Sequence, residues 1–231
     1  MKKYLLAALI CLGSIVSFAQ EDFDEDQLGA WYMYFFNKQF KNSQFGIQGD
    51  YQFRFWDFGS DLEQVLLRTG ATYRPKNADI LFTLGYANIT TGVFGESDAT
   101  TVEHRVYQEA LFSQEIGSRF LLTHRIRSEQ RWVEDQDLRT RYRYNLFLNI
   151  PFNDTKLAKG VIYAALYNEI FINGQTDIGE GRSVQLFDRN RTYLGLGYGI
   201  RKNMRVQLGW MRQTTVNWAK NQMQFSLHHS F

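Results

Sequence analysis

Between Phe120 and Ile150 the chain sorts its side chains into two unlike sets. Thr123, Arg125, Arg127, Glu129 and Arg131 alternate along one run, and Arg139, Arg141, Arg143, Asn145 and Asn149 along the next. The intervening positions carry Leu122, Ile126 and Trp132, then Tyr142, Tyr144, Leu146, Leu148 and Ile150. A period of two is that of a β-strand, with one set of side chains on each face. Six arginines on one face lie either in water or inside a closed structure. An arginine facing lipid near the bilayer centre costs ~2–4 kcal/mol. If the apolar face meets lipid, the arginine face must therefore be interior.

The remaining chain favours the membrane alternative. Alternating or aromatic-rich runs recur at 28–36, 44–56, 62–74, 80–91, 102–115, 119–132, 138–150, 161–172, 187–200, 204–213 and 222–231. Most exceed the five or six residues usual in soluble sheets and match the ~9–11 that a tilted membrane strand needs. Short turns at 75–78, 116–118 and 201–203 alternate with longer acidic links at 92–101, 133–137, 174–186 and 214–220. That alternation belongs to outer-membrane barrels, as do tryptophans near strand ends, here Trp31, Trp56, Trp132, Trp210 and Trp218. Eleven runs conflict with the even count of bacterial single-chain barrels, so the reading predicts 12 strands, with 10 as the alternative.

Targeting agrees. Lys2 and Lys3, an apolar stretch from Tyr4 to Val16 and Ser17-Phe18-Ala19 form a cleavable export signal over residues 1–19. Its apolar run is too short for a membrane helix of roughly 20 residues. The single cysteine, Cys11, lies within it, so the exported chain has no thiol chemistry or disulfides. Removing the signal leaves 24 basic against 24 acidic side chains, a balance unlike that of a nucleic-acid binder. Residues 20–27 are acidic and aperiodic, a flexible start to a single domain over 28–231. The mean hydropathy of −0.38 suits a barrel with a polar interior, since only half of each strand must be apolar. The final run places Phe225, Leu227 and the terminal Phe231 on one face. This resembles the insertion signal read by the outer-membrane assembly machinery.

Charge pairing suggests a register. Pairing Glu115 with Arg119 across a three-residue turn sets Glu109 opposite Arg125, Arg105 opposite Glu129 and Glu103 opposite Arg131. A slip of two sets Arg105 against Arg131, a repulsive choice. Glu169 can reach Arg141 or Arg143, and Arg189 and Arg191 join the same side. Such a network either fills a narrow barrel or lines an anion-attracting pore, as arginine rings do.

Candidate chemistry is sparse. His228 faces inward with Ser226 and Ser230, which raises a lipid hydrolase as an alternative. Positions two apart on a strand are ~6.6 Å distant, out of hydrogen-bond reach for a nucleophile and its base. No cysteine is available for a metal, and His228 and His229 point to opposite faces. No glycine-rich phosphate loop is present. Gly195, Gly197 and Gly199 alternate on one strand and make room for large interior side chains. The expectation is a protein without catalytic residues, metal or cofactor.

The stretch His124-Arg125-Ile126-Arg127-Ser128-Glu129-Gln130-Arg131 resembles the central motif of the domain-of-unknown-function 2490 family. Asn168–Asn173 and Phe187–Tyr198 are similar to later motifs of that family. The resemblance spans most of the exported chain and implies an outer-membrane β-barrel of Gram-negative bacteria with no assigned activity. The matching positions are Arg125, Arg127, Glu129, Arg131, Glu169 and Arg191.

The expected protein is an all-β, single antiparallel transmembrane barrel in the cell outer membrane. Its interior network comprises Glu103, Arg105, Glu109, Arg125, Arg127, Glu129, Arg131, Arg139, Arg141, Arg143, Glu169 and Arg191. Its expected partners are outer-membrane lipids, lipopolysaccharide and the barrel assembly machinery, with a small anionic solute as a possible guest. A surface-binding module using the acidic loops at Glu134, Asp135, Asp137, Asp177 and Glu180 is a further alternative.

Overall fold

The computed structural model describes residues 27–231. The export signal at 1–19, and all of the 20–27 start except Gln27, lie outside the described residues. Eleven strands follow in order: β1 (Gly29–Gln39), β2 (Phe45–Phe55), β3 (Leu62–Tyr73), β4 (Ile80–Gly92), β5 (Thr100–Ile116), β6 (Phe120–Val133), β7 (Arg139–Pro151), β8 (Ile162–Asn173), β9 (Phe187–Arg201), β10 (Met204–Thr214) and β11 (Ala219–Ser230). They form one closed barrel in which sequential neighbours pair antiparallel.

The expected count of 12 or 10 is corrected to eleven. An antiparallel meander closes antiparallel only with an even number of strands. Here β1 and β11 run the same way and pair parallel, from Gly29↔Gln222 to Asn37↔Ser230. Closure satisfies the edge N–H and C=O groups either way, which is what a bilayer demands. One consequence is that the start of β1 and the end of β11 stand at opposite rims.

One rim carries the connections 40–44, 74–79, 117–119, 152–161 and 202–203; the other carries 56–61, 93–99, 134–138, 174–186 and 215–218. The 152–161 connection breaks the expected alternation of short turns and long links. It folds back against the rim: Gly160 N–H donates to Gly199 O at 2.8 Å, Val161 is buried, and Leu157 packs against the Trp31–Tyr163 cluster. At the other rim the 174–186 link is a folded flap. Its Ile178 is buried and accepts a hydrogen bond from Asp137 N–H at 3.0 Å. In the 56–61 connection modest burial opposes ionisation of Asp57. Donation from Ser60 Oγ and from the N–H groups of Gly59, Ser60 and Asp61 outweighs it and holds the carboxyl well below its usual range.

Side chains obey the period of two. On β9, Arg191 and Tyr193 are buried, while Leu194, Leu196 and Tyr198 are exposed on the outer face. The glycines between them make room inside, as the sequence suggests. A Cβ on Gly197 would enter the Tyr163 ring, and one on Gly195 would meet the Tyr193 hydroxyl. Trp132 and Trp210 face outward, 46% and 40% exposed. Trp31 does not: it is 2% exposed and belongs to the interior. The girdle assignment fails for this tryptophan because its parity places it inward with Met33 and Phe35 on a strand whose two faces are both aromatic.

Candidate functional site

The interior of β5–β9 is built around a few shared carboxylates. Glu129, 1% exposed, accepts Arg141 Nε and Nη2 at 3.0 and 2.7 Å and Arg143 Nη1 at 2.6 Å. Arg105 and Arg127 approach the same group at 3.7 Å each. Glu103 receives Arg105 through two bonds of 2.6 and 2.7 Å and also Arg131. Glu109 takes Arg127 Nε at 2.7 Å and Gln48 Nε2 at 2.9 Å. Glu169 takes Arg125 and Arg143, both at 2.7 Å. Asp188 adds a bond of 2.8 Å to Arg141, and Asp50 pairs with Arg68 at 2.7 Å.

The register of β5 and β6 differs from the expected one. Ile116 pairs with Phe120 across a 117–119 turn in which Gly117 has φ +60°. Arg105 then sits opposite Arg131, and Glu109 opposite Arg127. This is the slip of two that charge pairing disfavours. The repulsion is relieved because Glu103 bridges both arginines. Long side chains also lean along the strand: the contacts Glu109–Arg125 at 3.8 Å and Arg105–Glu129 at 3.7 Å exist as diagonals rather than as opposite pairs. Charge complementarity identified three of the four pairs and misplaced the backbone; Glu115 instead sits opposite Leu121, and Arg119 donates to Phe152 O at 3.1 Å.

Of the other residues singled out from sequence, Arg139 is buried but takes part in no ion pair among the described residues, and its Nε lacks a hydrogen-bond acceptor. Arg191 is buried too and donates Nε to Gln213 Oε1 at 2.6 Å. Phe225 lies on the outer wall, stacked on Tyr32 at 5.2 Å, with Leu227 on the same face. Phe231 follows the last strand, and its N–H donates to Asn37 O at 2.9 Å. Ser226 Oγ and His228 Nε2 are 3.1 Å apart, which corrects the expectation that they cannot touch. The ~6.6 Å spacing separates backbones; the imidazole folds along the strand and closes the gap. His228 stacks on Phe35 at 4.7 Å.

Sequence reasoning missed the β1–β3 side of the interior. Arg54 is buried, donates to Gln52 and Gln64 carbonyls, and lies 3.7 Å from the Trp31 ring centre. Arg191 stands over the same ring at 4.7 Å and over Phe171 at 4.8 Å. Arg143 lies over Phe171 at 4.4 Å. The unbroken alternation from Gln44 to Trp56 carried the signal for Arg54 and Asp50, since both share the face of Gln48 and Gln52.

Two cavities flank this layer. One, about 290 Å³, reaches from Arg54 and Trp31 toward Asn37, Asn149 and His228 at the rim of the 117–119 turn. The other, about 270 Å³, extends toward Thr101, Glu103 and Arg189 at the opposite rim. Arg54, Arg68, Arg143 and Arg191 line both. These four guanidiniums, three of them stacked on Trp31 or Phe171, form a septum, the layer between the two cavities.

A model of a protein family of unknown function, DUF2490, matches residues 28–224. The chain belongs to this family. The match covers every strand but the end of β11, so the septum and the shared carboxylates all lie inside it. An uncharacterized protein of Methylorubrum extorquens is 30% identical over 157 residues, covering 67% of this chain and 65% of the relative's own length. The chain thus spans somewhat less than two thirds of that relative's length. Among the described residues no cluster of three or more His, Cys, Asp or Glu is arranged to hold a metal ion.

Proposed function

We propose that this DUF2490 protein is an outer-membrane β-barrel closed at mid-height, a filled structural barrel rather than an open pore. The septum carries the reading. Four arginines held by stacking on Trp31 and Phe171, and by bonds to Asp50, Glu169 and glutamines, stand where an open channel would run. The location rests on the outer wall, whose exposed side chains include Leu84, Leu194, Leu196 and Leu208. A wall of that kind in water would be a large exposed apolar patch. The rim with the 117–119 and 202–203 turns then faces the periplasm, and the rim with the 174–186 flap faces out. Outer-membrane lipid and lipopolysaccharide surround the wall, and the assembly machinery inserts it.

The test has two arms. The exported protein fractionates with outer membranes, resists carbonate extraction and migrates differently on gels before and after boiling. Proteoliposomes carrying it show no faster swelling in sugars or amino acids than empty ones. Recovery as a detergent-free periplasmic monomer refutes the location, and rapid swelling refutes the closure. The contact between Ser226 and His228 supports a second reading, a lipid hydrolase. Labelling of Ser226 by a fluorophosphonate probe selects that reading over the first.

A further inference from the structure

Among the described residues the interior is not charge-balanced. Nine arginines there are buried against six carboxylates, and guanidiniums outnumber carboxylates around both cavities. Seven arginines and three carboxylates line the 290 Å³ vestibule. Among the described residues three of those arginines, Arg54, Arg191 and Arg205, enter no ion pair. Arg125 Nε, Arg127 Nη1 and Arg205 Nε are buried without a hydrogen-bond acceptor. Buried donors and charges are costly unless something answers them. The carboxylates cannot, because Glu109 and Glu169 already serve two arginines each. Aromatic rings line the wall as well: Phe35, Phe147 and Tyr167 face the same space, and Tyr167 stacks on Tyr193 at 4.9 Å.

A cup in which guanidiniums and aromatic rings are interleaved, as where Arg125 lies over Phe147 at 5.2 Å, matches a ligand that is part anion and part apolar. We propose that this vestibule binds a small organic anion, a carboxylate or phosphate head on an apolar or aromatic body. The head meets the unpaired guanidiniums Arg191 and Arg54 beside Trp31, in the manner of arginine–oxyanion pairs. The body lies along Phe147 and Tyr167. Arg205, half-buried nearer the rim, draws the anion in. The inference goes beyond the closed-barrel reading, because it requires only that the vestibule be open to one rim.

Calorimetric titration of the intact barrel in detergent tests it with three probes: phenyl phosphate, inorganic phosphate and benzyl alcohol. Phenyl phosphate binds with one site per barrel, at least tenfold tighter than inorganic phosphate, and benzyl alcohol gives no measurable heat. Rising salt weakens binding. Arg205→Gln and Arg191→Gln each lower the affinity about tenfold, the loss expected for one charge-assisted contact. Arg191→Gln removes a buried side chain and can fail to fold, whereas Arg205→Gln, near the rim, keeps the test decisive. Arg182→Gln, on the exposed flap, leaves affinity unchanged. No binding of phenyl phosphate, or equal binding by Arg205→Gln, overturns the proposal; equal affinity for inorganic and phenyl phosphate overturns its organic-anion assignment. Failure of the closed-barrel reading is seen separately as solute flux, which leaves these affinities untouched.

Discussion

Replacing Glu129 by glutamine asks how dry the interior is. Glu129 is 1% exposed and lines neither cavity, so little water stands ready to replace it. The substitution removes the charge that answers Arg141 and Arg143 at 2.6–3.0 Å and that two further arginines approach at 3.7 Å. Removing one partner from a buried pair costs about 3–5 kcal/mol. The glutamine carbonyl still accepts a bond, so the lower end applies, about 3 kcal/mol. For a chain of this length that is about 6–12 °C in melting temperature, read from the boiling-dependent gel shift of barrel folded in detergent. A loss below about 1 kcal/mol, the range of solvated pairs, refutes the dry network. Exchanging charges by combining Arg105→Glu with Glu129→Arg does not rescue the loss. The new cation at 129 would face Arg141 and Arg143, so recovery to wild-type stability also counts against the geometry.

Further expectations follow from particular contacts. Gly197→Ala drives a methyl into the Tyr163 ring and lowers stability by about 1–3 kcal/mol, the usual overpacking cost; an unchanged melting temperature contradicts the packing. Deleting Phe231 removes one hydrogen bond to Asn37 and slows insertion more than it destabilises the folded barrel, as followed by pulse-chase and outer-membrane fractionation. Ser226→Ala and His228→Ala leave lipid composition and growth unchanged by mass spectrometry and growth curves; loss of a lipid-modifying activity in either favours the hydrolase.

How much of this was readable from the sequence depends on which physical signal each feature leaves. Facing was readable throughout, because a period of two assigns Arg127, Glu129 and Arg141 to one side without reference to any partner. Register was not. A three-residue turn fits at 116–118 or at 117–119, and side chains as long as arginine reach the same carboxylates diagonally from either alignment. The strand count failed at the seam, where β1 and β11 meet with no turn between them to announce parallel pairing. Trp31 was misplaced since proximity to a strand end says nothing about which face a ring occupies. Arg54 was visible by parity but stayed unweighed, because its partners are glutamines and an indole rather than carboxylates.

The septum is most directly tested by single-channel recording of the purified barrel in planar bilayers. Wild-type protein gives no sustained conductance in potassium chloride. Trp31→Ala, which removes the ring that Arg54 and Arg191 stack upon at 3.7 and 4.7 Å, opens anion-favouring current. Steady anion-selective current through the wild-type barrel, lost on changing Arg139, Arg141 and Arg143 to glutamine, would show a pore in place of the closed layer.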